Sequence, residues 1–139
     1  MTTSLSKNYH VSKIYLSSAF KQRRWIRELA QKLRDLEYDV TSEWHEDIMA
    51  HGLEDSATAL KNFLNIAKSD VFVAVALTAR RVWEELGFAR ASGLKIVMVG
   101  LTPNHVNDAL PAEWYSTEEA FLRAMDTTRA LRFSKEIWE

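Results

Sequence analysis

No cysteine occurs among the 139 residues, which excludes disulfides, thiolate metal sites and cysteine nucleophiles. Charge of neither sign is in excess: 18 basic residues face 19 acidic ones, for a net charge of −1. Such a balance argues against a general electrostatic grip on nucleic acid or on an anionic membrane. Any ligand must be recognised locally. No stretch approaches the ~18 apolar residues of a membrane span, and MTTSLSKNYHVSK at the N-terminus has no signal-peptide run. A cytoplasmic protein is therefore expected. The five tryptophans, at positions 25, 44, 83, 114 and 138, follow no repeat period. What remains is an ordinary globular composition, 47% hydrophobic and 27% charged. The length fits a single domain over residues 1–139, with 1–10 and 132–139 read as flexible ends.

Strand and helix signals alternate along the chain. VSKIYL (11–16) turns β-prone and apolar, and SSAF follows as a turn into a helix. From Gln22 to Leu36, Trp25, Ile26, Leu29, Ala30, Leu33 and Leu36 trace one helical face. YDVTSEW (38–44) reads as a second strand. A helix capped at Asp55 or Ser56 carries Leu60, Phe63, Leu64 and Ala67, and DVFVAVAL (70–77) is a strand without polar alternation, as in a buried parallel sheet. The next helix starts near Arg80 and ends near Gly93, placed as a C-cap glycine, before the strand KIVMVGL. A loop holding Pro103 and Pro111 leads to a short strand around Trp114. Ser116 and Glu119 then form a capping box for a last helix. The alternation predicts an α/β domain with a parallel sheet covered on both sides, and ligand sites beyond the carboxyl ends of its strands. Those positions are Ser17 to Lys21, Trp44 to Asp47, Thr78 to Arg81 and Gly100 to Asn107.

One of these edges carries paired acids, in RVWEELGFARASGLKIVMVG (81–100). A helical rotation of about 100° per residue puts Val82, Leu86, Ala89 and Gly93 against the sheet. Glu84 then lies about 200° from Val82 and points to solvent, while Glu85, at about 300°, borders the buried stripe. Two roles stay open for Glu85. It is either an acid complementing the helix dipole or an ionised carboxylate placed to attack an electrophilic sugar carbon.

Other chemistries find little support. His45, Glu46, Asp47 and His51 do not have H-E-x-x-H spacing, so no metal is expected. Neither a G-x-G-x-x-G nor a P-loop is present, and Ser17 and Ser18 do not sit in a G-x-S-x-G elbow. KQRR (21–24) reads first as the opening of an amphipathic helix. Asp70, at the head of a buried strand, reads as structural.

KIYLSSAF, LKNFLNIAKSDVFVAVAL and EELGFARASGLKIVMVG together resemble the nucleoside 2-deoxyribosyltransferases and their nucleotide N-glycosidase relatives, in order and spacing over roughly residues 13 to 100. The resemblance implies a flavodoxin-like domain with five parallel strands in the order 2-1-3-4-5 and cleavage of an N-glycosidic bond, without a cofactor. It makes Glu85 the nucleophile at C1′ and Tyr15 the residue that positions it. Ser18 and Ala19 match the small residues of the sugar or phosphate pocket, with Ser17 beside them expected to bind substrate, and Trp44 or His45 falls where the family contacts the base. Of Asn104 and Asn107 after the fourth strand, Asn107 is the better match to a polar residue supplied by a neighbouring subunit, which implies a homodimer or higher homo-oligomer.

Two departures stand out. Asn62 occupies the place of a family Asp, and an amide cannot donate a carboxylic proton. TARRVWE replaces small residues before the nucleophile. Arg80 and Arg81, helped by Lys21 or Arg23, either bind a 5′-phosphate or form a solvated helix start; alternatively the arginines and Trp83 fill the pocket. The function classes left open are an N-glycosidic-bond enzyme, a catalytically inactive nucleotide-binding or interaction module, and a cleaving domain of Toll/interleukin-1-receptor type. The Glu-Leu-Gly-Phe-Ala context favours the first.

Overall fold

The structure, a computed structural model, describes residues 12–46, 56–75, 79–100 and 112–138, with side chains described up to residue 130. In chain order these are β1 (Lys13–Ser17), a 3-10 turn (Phe20–Gln22), α1 (Arg23–Asp35), β2 (Asp39–Val40) and α2 (Ser56–Ala67). They continue with β3 (Val71–Val75), α3 (Arg80–Ala91), β4 (Lys95–Val99), β5 (Glu113–Tyr115) and α4 (Glu118–Trp138). The five strands form one sheet in the order β2-β1-β3-β4-β5, and every pair is parallel.

A parallel sheet needs crossover helices, and these cover both faces. On one face α1 meets α4, where Trp25 Nε1 donates to Glu118 at 3.0 Å and the Tyr38 hydroxyl donates to the Met125 carbonyl at 2.6 Å. On the other face α2 meets α3, where the Phe63 and Phe88 rings lie 5.0 Å apart. The double cover explains why Phe72 to Val75 and Ile96 to Val99 are buried without alternation. Ile26, Leu29, Ala30 and Leu33 seat α1 on the sheet. Each such fully buried Leu or Ile contributes about 1.5–3 kcal/mol.

Two helices stop by the same device. After α3, Gly93 (φ 81°) sends its N–H to the Arg90 carbonyl, and Leu94 bonds to Ala89. This is a Schellman turn, and the glycine takes the left-handed backbone without strain. After α1 the same pair of bonds, Glu37 to Arg34 and Tyr38 to Leu33, places a non-glycine residue, Glu37, at φ 70°.

Two boundaries differ from the sequence reading. The second strand, expected over 38–44, pairs with β1 only at Asp39 and Val40, because side chains of the following loop take over the hydrogen bonds. The last helix is capped by Thr117, whose hydroxyl accepts the Ala120 N–H at 3.1 Å, and not by a box on Ser116. Asp70 is structural as expected: its carboxylate accepts the Lys13 N–H at 2.8 Å. Among the described residues no helix is long and apolar enough to cross a membrane.

Candidate active site

Parallel strands end at one edge, and the helix that follows β3 begins there. Glu85, in the second turn of α3, is therefore delivered to the carboxyl end of β1. Helix periodicity separates the two acids as the sequence implies: the Glu84 side chain is 57% exposed and pairs with Arg80 at 3.3 Å, while Glu85 is 2% exposed. Burial of a carboxylate is tolerated only with donors around it. β1 supplies two. Residues two apart in a strand share a face, and Tyr15 and Ser17 both face Glu85. The Tyr15 hydroxyl donates to Oε2 at 3.2 Å and the Ser17 hydroxyl to Oε1 at 2.8 Å. Each carboxylate oxygen thus has its own donor, which fixes the plane of the group. Tyr15 is itself held by stacking on Phe72 of β3, with centroids 5.8 Å apart and planes at 9°.

A guanidinium closes the arrangement. Arg81, one turn before Glu85, places Nε 3.9 Å from Oε2, too long for a hydrogen bond but close enough for ionic attraction. Its Nη2 donates to the Ser18 carbonyl at 2.7 Å, and its planar head lies over the Trp44 ring, 4.2 Å from the centroid. Arg81 consequently points inward, with its side chain 18% exposed, whereas the Arg80 side chain is 92% exposed. The two adjacent arginines do different things.

The loop after β2 is anchored to β1 by side chains. The Trp44 indole N–H donates to the Leu16 carbonyl at 2.8 Å, and Ser42 Oγ accepts the Leu16 N–H at 3.2 Å. The Ser42 hydroxyl is also hydrogen-bonded to His45 Nε2, 2.9 Å away. On the other side of the ring, Nδ1 lies 3.6 Å from Glu46 Oε1. His45 is fully buried, and this desolvation pushes its imidazole down to about 4, with the nearby Glu46 carboxylate opposing the shift. It is neutral at pH 7.

The remaining candidates are distributed unevenly. Ser18 and Ala19 are buried beside Arg81, with the Ser18 hydroxyl donating to the Gln22 side-chain oxygen. Asn62 is buried on α2, on the same side of the sheet as Glu85. Lys21 lies exposed on the 3-10 turn, and Trp83 is 45% exposed. Thr78, Asp47, His51 and Asn107 lie outside the described residues. The reading of Trp44 as a base platform meets a ring face already covered by Arg81. Sequence reasoning did not find Ser42 or its relay to His45. The position of Ser17, two residues after Tyr15, is the signal that places it on the same side of β1 as Tyr15, facing Glu85.

No family model matches the chain, and no curated protein matches it. Solved structures do. A CMP N-glycosidase of Clostridium botulinum, BcmB, superposes with a TM-score of 0.56 at 17% identity, over 83% of this chain and 98% of the other. The solution structure of BlsM gives 0.65 at 17% identity, over 88% and 91%. A 2-deoxyribosyltransferase of Bacillus psychrosaccharolyticus gives 0.57 at 19% identity, over 75% and 85%. The chain is therefore a flavodoxin-like α/β domain, and its fold matches those of the CMP N-glycosidase, of BlsM and of the 2-deoxyribosyltransferase.

Proposed function

We propose that the protein cleaves or transfers at the N-glycosidic bond of a (deoxy)nucleoside or its 5′-monophosphate. The observation that carries this reading is the geometry of Glu85: a buried carboxylate at the carboxyl edge of a parallel sheet, with one β1 hydroxyl on each oxygen. In the first step a Glu85 oxygen forms a bond to C1′ as the C1′–N bond breaks, its electron pair leaving with the base, which takes up a proton. A glycosyl ester remains. Water, or an N–H nitrogen of a second base, then attacks C1′ as the ester C–O bond breaks, returning the carboxylate; the attacking group gives up a proton to solvent, which balances the one taken up by the first base. Tyr15 and Ser17 hold Glu85 in the attacking orientation, which is where a positioned group lowers the barrier. Ser18 and Ala19 border the sugar or phosphate, and Arg81 holds a cation 3.9 Å from the Glu85 carboxylate. A cytoplasmic homo-oligomer, with Asn107 reaching a neighbouring subunit, belongs to the same reading.

The test is a panel of deoxynucleosides and their 5′-monophosphates, with and without an acceptor base, followed by chromatography. Base release or exchange is expected, abolished in Glu85→Ala and retained in Glu84→Ala. Equal activity in both variants would sink the assignment.

A second reading is a binding module of the same fold that no longer turns over. Asn62, where the resemblance places an acid, favours it. It predicts saturable nucleotide binding in calorimetry with no base released from any member of the panel.

A further inference from the structure

We infer that Trp44 is a positioning residue for Glu85, acting through β1 and Arg81, and not a platform on which a base stacks. The inference rests on the reading of Glu85 as nucleophile.

The reason lies in where β2 stops. In a parallel ladder the N–H and C=O of alternate residues turn toward the same neighbour. Along β1 this makes Ile14 and Leu16 the residues that face β2. Ile14 is served by main chain, since its carbonyl accepts the N–H of Thr41, the residue just after β2, at 2.8 Å. Leu16 is not, because β2 has ended at Val40. Leu16 is buried, so its two peptide groups require partners. Ser42 Oγ takes the N–H and Trp44 Nε1 takes the C=O, so two side chains continue the ladder by one rung.

That rung sits between the residues whose hydroxyls grip the nucleophile. Leu16 separates Tyr15 from Ser17, and any rotation of its peptide planes turns both hydroxyls away from Glu85. Trp44 also acts from the other side. Its ring carries the Arg81 guanidinium, which reaches the Ser18 carbonyl and the Glu85 carboxylate. One indole therefore locks the β1 end and the α3 cation to each other. Its N–H and one ring face are occupied in doing so, and it meets the His45 ring in a T-shaped contact, with planes at 86° and centroids 5.3 Å apart. A ring so engaged has no free face to offer a base on the Arg81 side.

The two roles give opposite kinetic signatures. A positioning residue alters the reacting geometry equally for every substrate, so kcat falls and the ratio of KM between purine and pyrimidine substrates stays constant. A stacking residue changes that ratio. Trp44→Phe keeps an aromatic ring for Arg81 and removes the N–H along with the five-membered part of the indole; it is expected to lower kcat about tenfold with KM within about twofold. Trp44→Leu removes both attachments and is expected to lower kcat about a hundredfold, the scale of a misplacement of about 1 Å. Ser42→Ala breaks the bond to the other peptide group of Leu16 and gives a loss like that of Trp44→Phe, which keeps the test decisive where Trp44→Leu fails to fold. Hydrogen exchange at the Leu16 amide of the resting protein, read by NMR, is expected to accelerate in all three variants.

A shifted purine-to-pyrimidine KM ratio at unchanged kcat would overturn the inference, as would Leu16 exchange as slow as in the wild type. A lowered melting temperature with unaltered kcat would also overturn it, leaving a purely structural residue. If the wild-type protein releases no base at all, the nucleophile reading fails on that result. Amide exchange at Leu16 then still decides whether Trp44 fixes the β1 end.

Discussion

The Ser17 hydroxyl lies 2.8 Å from Glu85 Oε1, joining the end of β1 to α3 across 68 positions of chain. A bond from a neutral donor to a buried charge contributes about 1.5–3 kcal/mol. Ser17→Ala is expected to lower the unfolding free energy by about that amount in a urea titration. Tyr15→Phe, at the longer 3.2 Å contact, is expected to cost less. Both variants are expected to slow base release while leaving the fold intact by circular dichroism.

His45 makes stability depend on pH. Its folded value is about 4 against 6.5 in an unstructured chain, so between these values the unfolded state binds more protons. Stability is complete above about pH 6.5 and declines as the pH falls, by about 3 kcal/mol once pH 4 is passed. Glu43, held low chiefly by its bond from Asn65, loses its own contribution only at the acid end of this range. Thermal melts between pH 6.5 and 5 isolate the histidine. His45→Gln is expected to flatten the melting temperature across that window, and a slope equal to the wild type's would contradict the assignment.

Gly87 belongs to the Glu-Leu-Gly motif, yet a methyl group built on it would meet nothing within 4 Å. It lies exposed in the interior of α3, where glycine costs about 0.5–1 kcal/mol relative to alanine. Gly87→Ala is expected to raise the unfolding free energy by that amount. If the same variant loses turnover, the glycine serves the approach of a ligand or partner and not the packing of the chain.

The cap of α4 is tested by comparing two neighbours. Thr117→Ala is expected to cost about 1 kcal/mol, and Ser116→Ala less than about 0.5 kcal/mol. The reverse order would restore the capping box.

The sheet was readable in the sequence because β3 and β4 are buried on both faces and carry unbroken apolar runs. The two glutamates were readable because a helix rotates each residue by a fixed angle. The surroundings of Glu85 were less legible, and the reason is physical. Whether an arginine extends outward or folds onto an indole depends on partners distant in sequence, so Arg80 and Arg81 look alike until Trp44 is placed beside one of them. YDVTSEW is equally β-prone throughout, and nothing in it says that pairing ends at Val40 and that Ser42 and Trp44 then bond with their side chains. Ser116 satisfies the capping-box pattern and Thr117, followed three residues later by Ala120, does not, yet the course of the backbone puts the Thr117 hydroxyl at the cap.

The brevity of β2 has a consequence for how the molecule fails. An edge strand held by two paired positions opens at a small fraction of the global unfolding free energy. The Leu16 clamp is attached to that edge, so each fraying event also loosens the grip on Glu85 while β1, β3 and β4 stay intact. On gentle heating, turnover should fade several degrees before far-ultraviolet circular dichroism reports any loss of structure. The working temperature of the protein would then be set by its weakest edge.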